Sequence, residues 1–205
     1  MSHSLVLATR NQGKIVEFRR ILESLAPGYI ELIGLDKFPD LEDVEETGHT
    51  FEENALLKAR YTAAMTGLPS ISDDSGLCVD ALDGAPGILS ARWAGEHGND
   101  VANLGKLLSQ LRDIPDEKRS AHFTCVAALV MPDGREVVAE GLFHGRILHA
   151  PSGDQGFGYD PIFAPLGMSI SSAQMSAEEK DAVSHRGKSL RSLAPQVIQM
   201  LEGLG

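Results

Sequence analysis

The sequence predicts an α/β protein with a mixed central β-sheet flanked by helices. Short apolar runs that end in turn residues alternate with segments whose apolar residues recur at helical spacing. Residues 122–130 are almost continuously apolar, which is typical of a central strand buried on both faces. The turn Pro132-Asp133-Gly134 and the run 136–143 follow, so an antiparallel hairpin is expected inside this sheet.

The first elements are predicted as strand, loop, helix and strand. Residues 5–8 form a short apolar run, and Ile15, Phe18, Leu22 and Leu25 behind it follow a helical period. The dipeptide at 27–28, Pro-Gly, ends this helix. A second strand is expected at 29–33, and an acidic loop at 40–48.

A second helix is expected from Thr50 to about Met65, because Thr50 and Glu53 have the spacing of a capping box. Gly67 then ends it. The short strand 70–72 runs into Asp73-Asp74-Ser75-Gly76, and residues 98–112 predict a further helix.

The last third of the chain combines a glycine-rich loop with helices. The loop covers residues 153–160 and is stopped by Pro161. Ser176 and Glu179 form a second capping-box pattern, and residues 190–201 carry a helical apolar stripe. Pro195 lies within that stripe, so a kink or a new helix start is expected there.

Bulk properties narrow the class of protein. A length of 205 residues fits a single domain, 1–205. The net charge of −11 argues against a surface that coats nucleic acid, and no apolar run approaches the ~18 residues needed to span a membrane. Cys78 and Cys125 match no metal spacing, which favours reduced thiols in the cytoplasm.

The loop after the first strand is a candidate anion site. A loop that leads into a helix offers backbone N–H groups, Gly13 relaxes its backbone, and Lys14 adds positive charge. It is not a Walker A loop, because Ile15 stands where Ser or Thr is required. A polar turn with a helix cap is the alternative interpretation.

The acidic residues are candidate ligands of a hard cation. Asp73 and Asp74 lie at a strand end, and adjacent carboxylates are unfavourable unless a cation balances them. Glu52 and Glu53 are equally well explained as helix-terminus residues.

Two further segments are candidate ligand contacts. The glycines of 153–160 permit close approach of a ligand, and Phe157 or Tyr159 offers a face for a base; a hairpin-type turn is the alternative. Lys180 and residues 184–188 concentrate basic groups, which also fits a solvated helix end. A serine hydrolase is excluded by the lack of a G-x-S-x-G elbow, and the histidines show no H-E-x-x-H zinc pattern.

Together these segments resemble the inosine triphosphate pyrophosphatase family. The resemblance lies in an ordered set of motifs that covers nearly the whole chain, at residues 7–14, 45–51, 53–55, 58–60, 73–77, 84–92, 156–161 and 179–187. It implies an elongated mixed sheet, two lobes with a cleft between them, a homodimer and Mg²⁺. Arg10 departs from the pattern, since many bacterial members carry Gly there.

The resemblance also implies residue roles. Glu45 and Asp74 would bind the metal, and Asp74 would act as general base. Nucleotide contacts would come from Thr9, Arg10, Asn11, Gln12, Gly13, Lys14, Ser75, Phe157, Gly158, Tyr159, Asp160, Lys180, His185 and Arg186. The implied activity is hydrolysis of ITP, dITP or XTP to the monophosphate and pyrophosphate. The alternatives are a related nucleotide pyrophosphatase with another base preference, or a non-catalytic nucleotide sensor.

Overall fold

The structure, a computed structural model, describes residues 2–203. Its strands are β1 (His3–Leu7), β2 (Ile30–Gly34), β3 (Ser70–Val79), β4 (Ser120–Val130), β5 (Glu136–Ile147) and β6 (Phe163–Pro165). Its α-helices are α1 (Gln12–Leu25), α2 (Phe51–Thr66), α3 (Asp100–Gln110), α4 (Ala177–Val183) and α5 (His185–Glu202).

The strands form one mixed sheet in the order β2-β1-β3-β4-β5-β6. β1 pairs in parallel with β2 and β3, whereas β5 and β6 are antiparallel. The predicted α/β class with a mixed sheet is therefore confirmed. The short strand β6 was not predicted, because three residues are too few to show a period.

The turn between β4 and β5 sets their register. The amide of Met131 donates to the carbonyl of Arg135 over 2.8 Å, and so short a connection makes these neighbouring strands antiparallel. Met131 and Arg135 are thus the closing pair of the hairpin. Four steps from this pair along each strand, Ala127 lies opposite Ala139, and both belong to one core cluster. The alternation along the two strands then assigns their odd and even positions to opposite faces of the sheet.

The chain divides into two compact units. The first comprises the described residues through Asp74, residues Cys125–Gly141, and the residues from Arg186 onward. The second comprises Ser75–Thr124 and Leu142–His185.

The core of the first unit lies on both faces of its strands. On one face, α1 and α5 pack against β1 and β4; on the other, α2 presents Ala55, Ala59 and Ala63 to Val126 and Val130. The small alanines bring the α2 backbone close to the sheet, which positions the groups at the start of α2. Helix α5 continues through Pro195, so this proline does not mark a new helix start.

Helix starts follow the predicted caps closely. The Thr50 hydroxyl accepts from the Glu53 amide, whereas the Glu53 carboxylate accepts from the amide of His49. At α4 both halves of the capping box between Ser176 and Glu179 are present. Each cap satisfies backbone groups that the first helical turn leaves without partners.

Candidate active site

The loop before α1 has the form of an anion site. The Asn11 side chain caps α1 by accepting from the Lys14 amide over 3.0 Å, and the Thr9 hydroxyl accepts from the Asn11 amide over 3.2 Å. Gln12 begins the helix, and Gly13 and Lys14 complete its first turn. The segment is therefore a polar turn with a helix cap, which the sequence offered as the alternative to an anion site. The same segment also places the positive end of the helix dipole at the loop, so the two interpretations are compatible.

Arg10 points towards the acidic loop that follows β2. Its guanidinium donates to the Asp43 carboxylate over 2.5 Å and to the carbonyl of Leu41 over 2.8 Å. The sequence placed Arg10 among the phosphate contacts. In the structure its charge is balanced by Asp43, which is exposed.

The carboxylate of Asp73 is buried among cations. Arg186 donates to it over 2.8 Å, and the Lys14 ammonium lies 3.2 Å from its other oxygen. Burial alone would raise the pKa of Asp73, but Arg186, Lys14 and Lys58 together hold that pKa well below its usual range. Asp73 is therefore ionised at neutral pH, and its charge organises the neighbouring cations.

Asp74, the next residue, has a contrasting environment. Burial raises the pKa of its carboxyl group above the ordinary value, and Glu46 acts in the same direction, against Lys58, Lys14 and a hydrogen bond from Asn54. The Asn54 amide donates to this carboxylate over 3.0 Å, and the Lys58 ammonium lies 3.8 Å away. Two adjacent aspartates with pKa values pushed apart are suited to different tasks, and Asp74 is the better base.

Lys58 joins Asp74 to a second carboxylate. Its ammonium also pairs with Glu46, and both of these side chains are largely buried. Burial lowers the pKa of Lys58, but the nearby Asp74, Glu46 and Asp73 outweigh it, so the pKa is raised and the amine stays charged. The sequence singled out Glu45, which is exposed, whereas Glu46 shares this lysine with Asp74.

A buried arginine connects α5 with α1 and β3. Arg186 is only 1% exposed, and besides Asp73 it pairs with Glu17, which is itself buried. Sequence reasoning missed Glu17, Asn54 and Lys58 as members of the site, and it counted Glu46 among the acidic candidates but chose Glu45. The sequence contained two signals for them. Asn54 and Lys58 belong to the motifs that carry the family resemblance, and Glu17 follows Lys14 by about one helical turn.

In the second unit, Asp160 organises the glycine-rich loop. Its carboxylate accepts from the Phe157 amide over 2.9 Å and from the Lys180 ammonium over 2.5 Å. Gly156 has φ +74°, and a Cβ atom there would lie 2.1 Å from the Asp160 carboxylate. The glycine is thus required for the loop to close on Asp160.

The two aromatic residues of this loop differ in what they can offer a base. Tyr159 is buried, and its hydroxyl donates to the carbonyl of Ser90 over 2.9 Å. Phe157 is half-buried, and the Lys180 ammonium lies 5.3 Å from its ring centre. The partly open ring of Phe157 is therefore the better stacking face. His185, also buried, stacks on Phe123 with ring centres 4.8 Å apart.

The remaining predicted contacts have simpler surroundings. Gly158 has φ +63°, and its amide donates to Asp100 over 2.8 Å. Ser75 follows Asp74 directly in β3 and is half-buried.

A separate groove of about 970 Å³ lies in the first unit beside α2. Apolar side chains such as Phe51 and Val126 line it together with Arg60 and three carboxylates, those of Glu52, Glu53 and Glu140. None of the predicted site residues lines it. Its carboxylates would repel a polyphosphate, so the groove is not the candidate phosphate site.

Comparison with known proteins shows the family of this chain. The model of the Ham1 family matches residues 5–196. The chain belongs to the Ham1 family. A Ham1 relative from Streptomyces coelicolor, named dITP/XTP pyrophosphatase, is 58% identical over 197 residues, which cover 96% of this chain and 98% of the relative. The resemblance inferred from the sequence motifs is thereby confirmed.

Solved Ham1 structures show the same fold. A HAM1 protein from Coxiella burnetii is 40% identical, covers 96% of this chain and 99% of its own, and superposes with a TM-score of 0.84. A structure from Mycobacterium abscessus, titled nucleoside-triphosphatase and dITP/XTP pyrophosphatase, is 52% identical over 95% of this chain and 99% of its own, with a TM-score of 0.76. Within residues 2–203, no helix is both long enough and apolar enough to cross a bilayer.

Proposed function

We propose that this chain hydrolyses non-standard purine nucleoside triphosphates, namely ITP, dITP and XTP, to the nucleoside monophosphate and pyrophosphate. The observation that carries the proposal is the environment of Asp74, a base-like carboxylate beside Lys58, Lys14 and the capped N-terminus of α1. A polyphosphate needs such cationic groups, and its hydrolysis needs such a base. The names of the Ham1 relatives support the same reaction.

The triphosphate is assigned to the loop before α1. The N–H groups in the first turn of α1, the hydroxyl of Thr9 and the ammonium of Lys14 supply donors and positive charge there. Asn11 holds the loop in shape by capping the helix, and Gly13 keeps its backbone accessible. Arg10 and Gln12 complete the proposed loop contacts.

The donor set also fits a magnesium ion. Glu46 and Asp74 both reach the Lys58 ammonium, so two carboxylates converge on one small region, and oxygen is the ligand type that Mg²⁺ prefers. Among residues 2–203, no cluster of three or more His, Cys, Asp or Glu residues is arranged as a metal site. This agrees with an ion held by one or two carboxylates together with substrate phosphates. Asp74 with Glu45 remains the proposed ligand pair, and Glu46 is the alternative to Glu45 because it shares Lys58 with Asp74.

When bound, Mg²⁺ would offset the charge of the phosphates. The protein groups perform the remaining steps. Asp74 accepts a proton from the water that attacks the α-phosphorus, and Asn54 orients its carboxylate. Lys14 and Lys58 stabilise the negative charge that develops on the phosphate oxygens, and pyrophosphate leaves. Asp73 keeps Lys14 in position.

We assign the base to the second unit. Phe157 provides a stacking face, while Gly158, Tyr159 and Asp160 set the loop that carries it. Hypoxanthine and xanthine carry a 6-oxo group that accepts hydrogen bonds, whereas adenine presents an amino group. The proposed donors and contacts are Ser75, Lys180, His185 and Arg186.

A nucleotide panel tests the activity and the base preference together. ITP, dITP and XTP are expected to exceed ATP in kcat/KM by at least about 100-fold, because buried donors are left without partners by an amino group. The group released from the triphosphate should be pyrophosphate, which ³¹P NMR distinguishes from inorganic phosphate. Comparable kcat/KM for ITP and ATP would refute the base preference, and absence of pyrophosphate would refute the reaction.

Shortening Phe157 tests the stacking assignment. Phe157→Ala is expected to raise KM for ITP by roughly 5- to 160-fold, since base–aromatic stacking contributes about 1–3 kcal/mol. Tyr159→Phe is the matched comparison, because it removes only the hydroxyl that donates to Ser90. It should change KM far less. If the two substitutions raised KM equally, the loop conformation and not stacking on the Phe157 ring would determine how the substrate binds.

We propose a homodimer in the cytoplasm, without nucleic-acid or membrane partners. The negative net charge of −11 and the two free cysteines agree with this setting.

A further inference from the structure

Two histidines lie side by side on β4 and β5 in the second unit. The rings of His122 and His144 have their centres 5.5 Å apart, at an interplanar angle of 41°. His144 is exposed and His122 is half-buried, so both rings are accessible to an ion from solvent. None of the groups assigned to the triphosphate or to the base belongs to this pair.

The hairpin register places these two residues directly opposite each other. The closing pair is Met131 and Arg135, and nine steps along each strand lead to His122 and His144. The same count pairs Phe123 with Phe143, and both belong to the core of the second unit. The histidines therefore lie on the face opposite that core, as the alternation of side chains requires.

The kind of cross-strand pair that His122 and His144 form also brings their side chains close together. Met131 and Arg135 are joined by a ladder hydrogen bond, and an odd number of steps from such a pair leads to a non-hydrogen-bonded pair. In these pairs the Cα atoms are only about 4.5 Å apart and the side chains are at their closest. Two imidazoles at such a position are held on one side of the sheet by the backbone itself.

The observed separation matches the size of a two-imidazole chelate. With metal–nitrogen bonds of about 2.0–2.1 Å and a tetrahedral angle, two ring centres lie roughly 5 Å apart. The measured 5.5 Å is close to this value before any side-chain adjustment. Imidazole nitrogen is the ligand preferred by divalent zinc, nickel and copper, and not by magnesium.

We propose that His122 and His144 form a surface site for one divalent transition-metal ion, with water completing the coordination. Among the charged groups near the pair along the strands, Arg146 lies two residues beyond His144, and Asp80 accepts over 2.5 Å from Ser120, two residues before His122. Within the described residues no third His, Cys, Asp or Glu completes the set. The affinity is therefore below that of a four-ligand zinc site, and it follows the order Cu²⁺ above Ni²⁺.

Bound metal would join β4 to β5 and stabilise the folded chain by mass action. The site is independent of the proposed hydrolase reaction, so it is tested without substrate. Calorimetric titration with NiCl₂, in excess Mg²⁺ to occupy oxygen sites, should show one Ni²⁺ per chain. His122→Gln and His144→Gln should each weaken binding by at least about tenfold, because each removes half of the protein ligands.

His149→Gln is the matched control. His149 is exposed and its imidazole contacts Asp116 over 2.5 Å, so it is a surface histidine beside a carboxylate but outside the pair. It should bind Ni²⁺ as the wild type does. Electron paramagnetic resonance of the Cu²⁺ form should show two coupled imidazole nitrogens in the wild type and one in His144→Gln.

Nickel should also raise Tm in the wild type and in His149→Gln but not in His144→Gln. Because His144 is exposed, its replacement is not expected to disturb folding, which circular dichroism checks. Unchanged Ni²⁺ affinity in both His122→Gln and His144→Gln, or loss of binding in His149→Gln, would overturn the proposal.

Discussion

Replacing Asp74 with asparagine is expected to lower kcat for ITP by about 100- to 10,000-fold, the usual contribution of a general base. Asparagine has nearly the same shape, its amide oxygen can still accept from Asn54, and Lys58 keeps its closer partner Glu46. The fold should therefore persist, as judged by circular dichroism and thermal unfolding. Asp74 is also a proposed magnesium ligand, and weaker metal binding would be overcome at saturating Mg²⁺. Loss of the general base would not be overcome, so the decrease in kcat should remain at saturating Mg²⁺.

The pH dependence of kcat separates the base from a merely structural carboxylate. Burial raises the pKa of Asp74, so the group is protonated, and activity is lost, as pH falls through a value above the ordinary aspartate pKa of about 3.9. Asp74→Asn should lack this acid limb in its residual activity. The control Asp133→Asn changes an exposed carboxylate and should behave as the wild type. Near-normal turnover of Asp74→Asn would remove Asp74 from the catalytic role.

Replacing Arg186 with methionine is expected to lower the free energy of unfolding by about 3–5 kcal/mol. The guanidinium is 1% exposed and pairs with Glu17 and Asp73, which are buried as well. Methionine fills much of the volume, but it removes the guanidinium from the buried Glu17 and leaves Asp73 with only Lys14 and Lys58 as cationic neighbours. Urea denaturation, analysed with a common m-value, measures the change.

Arg60→Met provides the comparison on the surface. Arg60 also pairs with a glutamate, Glu136, but its side chain is 55% exposed, so the expected loss is below about 1 kcal/mol. Equal losses for the two arginines would show that burial of the Arg186 network is unimportant.

The pH dependence of stability gives a second signature of this network. The pKa of Asp73 is lowered in the folded state, so its stabilising contribution is fully present above the unfolded value of about 3.9 and is lost as pH falls below it. In Arg186→Met, Asp73 loses its strongest cationic neighbour but keeps Lys14, so its pKa is expected to be higher than in the wild type. The gap in stability between wild type and variant should therefore narrow in acid.

The local patterns in the sequence were sufficient for much of the fold. The caps at Asn11, Thr50 and Ser176 mark helix starts through interactions within four residues, so they are visible without a structure. The apolar run of β4 and the turn after it likewise predicted the central hairpin. The edge strand β6 was missed, because it is too short to show a period and depends on pairing with β5.

The site was only partly predictable, because its contacts join residues that are far apart along the chain. Glycine spacing indicated the loop at 153–160, but the assignment of Tyr159 as an equal stacking partner ignored its bond to Ser90, 69 positions away along the chain. Glu46 and Glu45 are indistinguishable as neighbours in an acidic loop. Their difference in burial arises from how that loop approaches Lys58.

By itself, the sequence determined the element types, the family and the stretches that carry the chemistry, because caps, periods and motifs depend on neighbouring residues. Only the tertiary structure decided that Asp73 is a locked anion while Asp74 has a raised pKa. That difference comes from Arg186, 113 positions from Asp73 along the chain, and from the burial of both carboxylates. Burial and long-range charge pairing set a pKa, and neither can be read from the order of the residues.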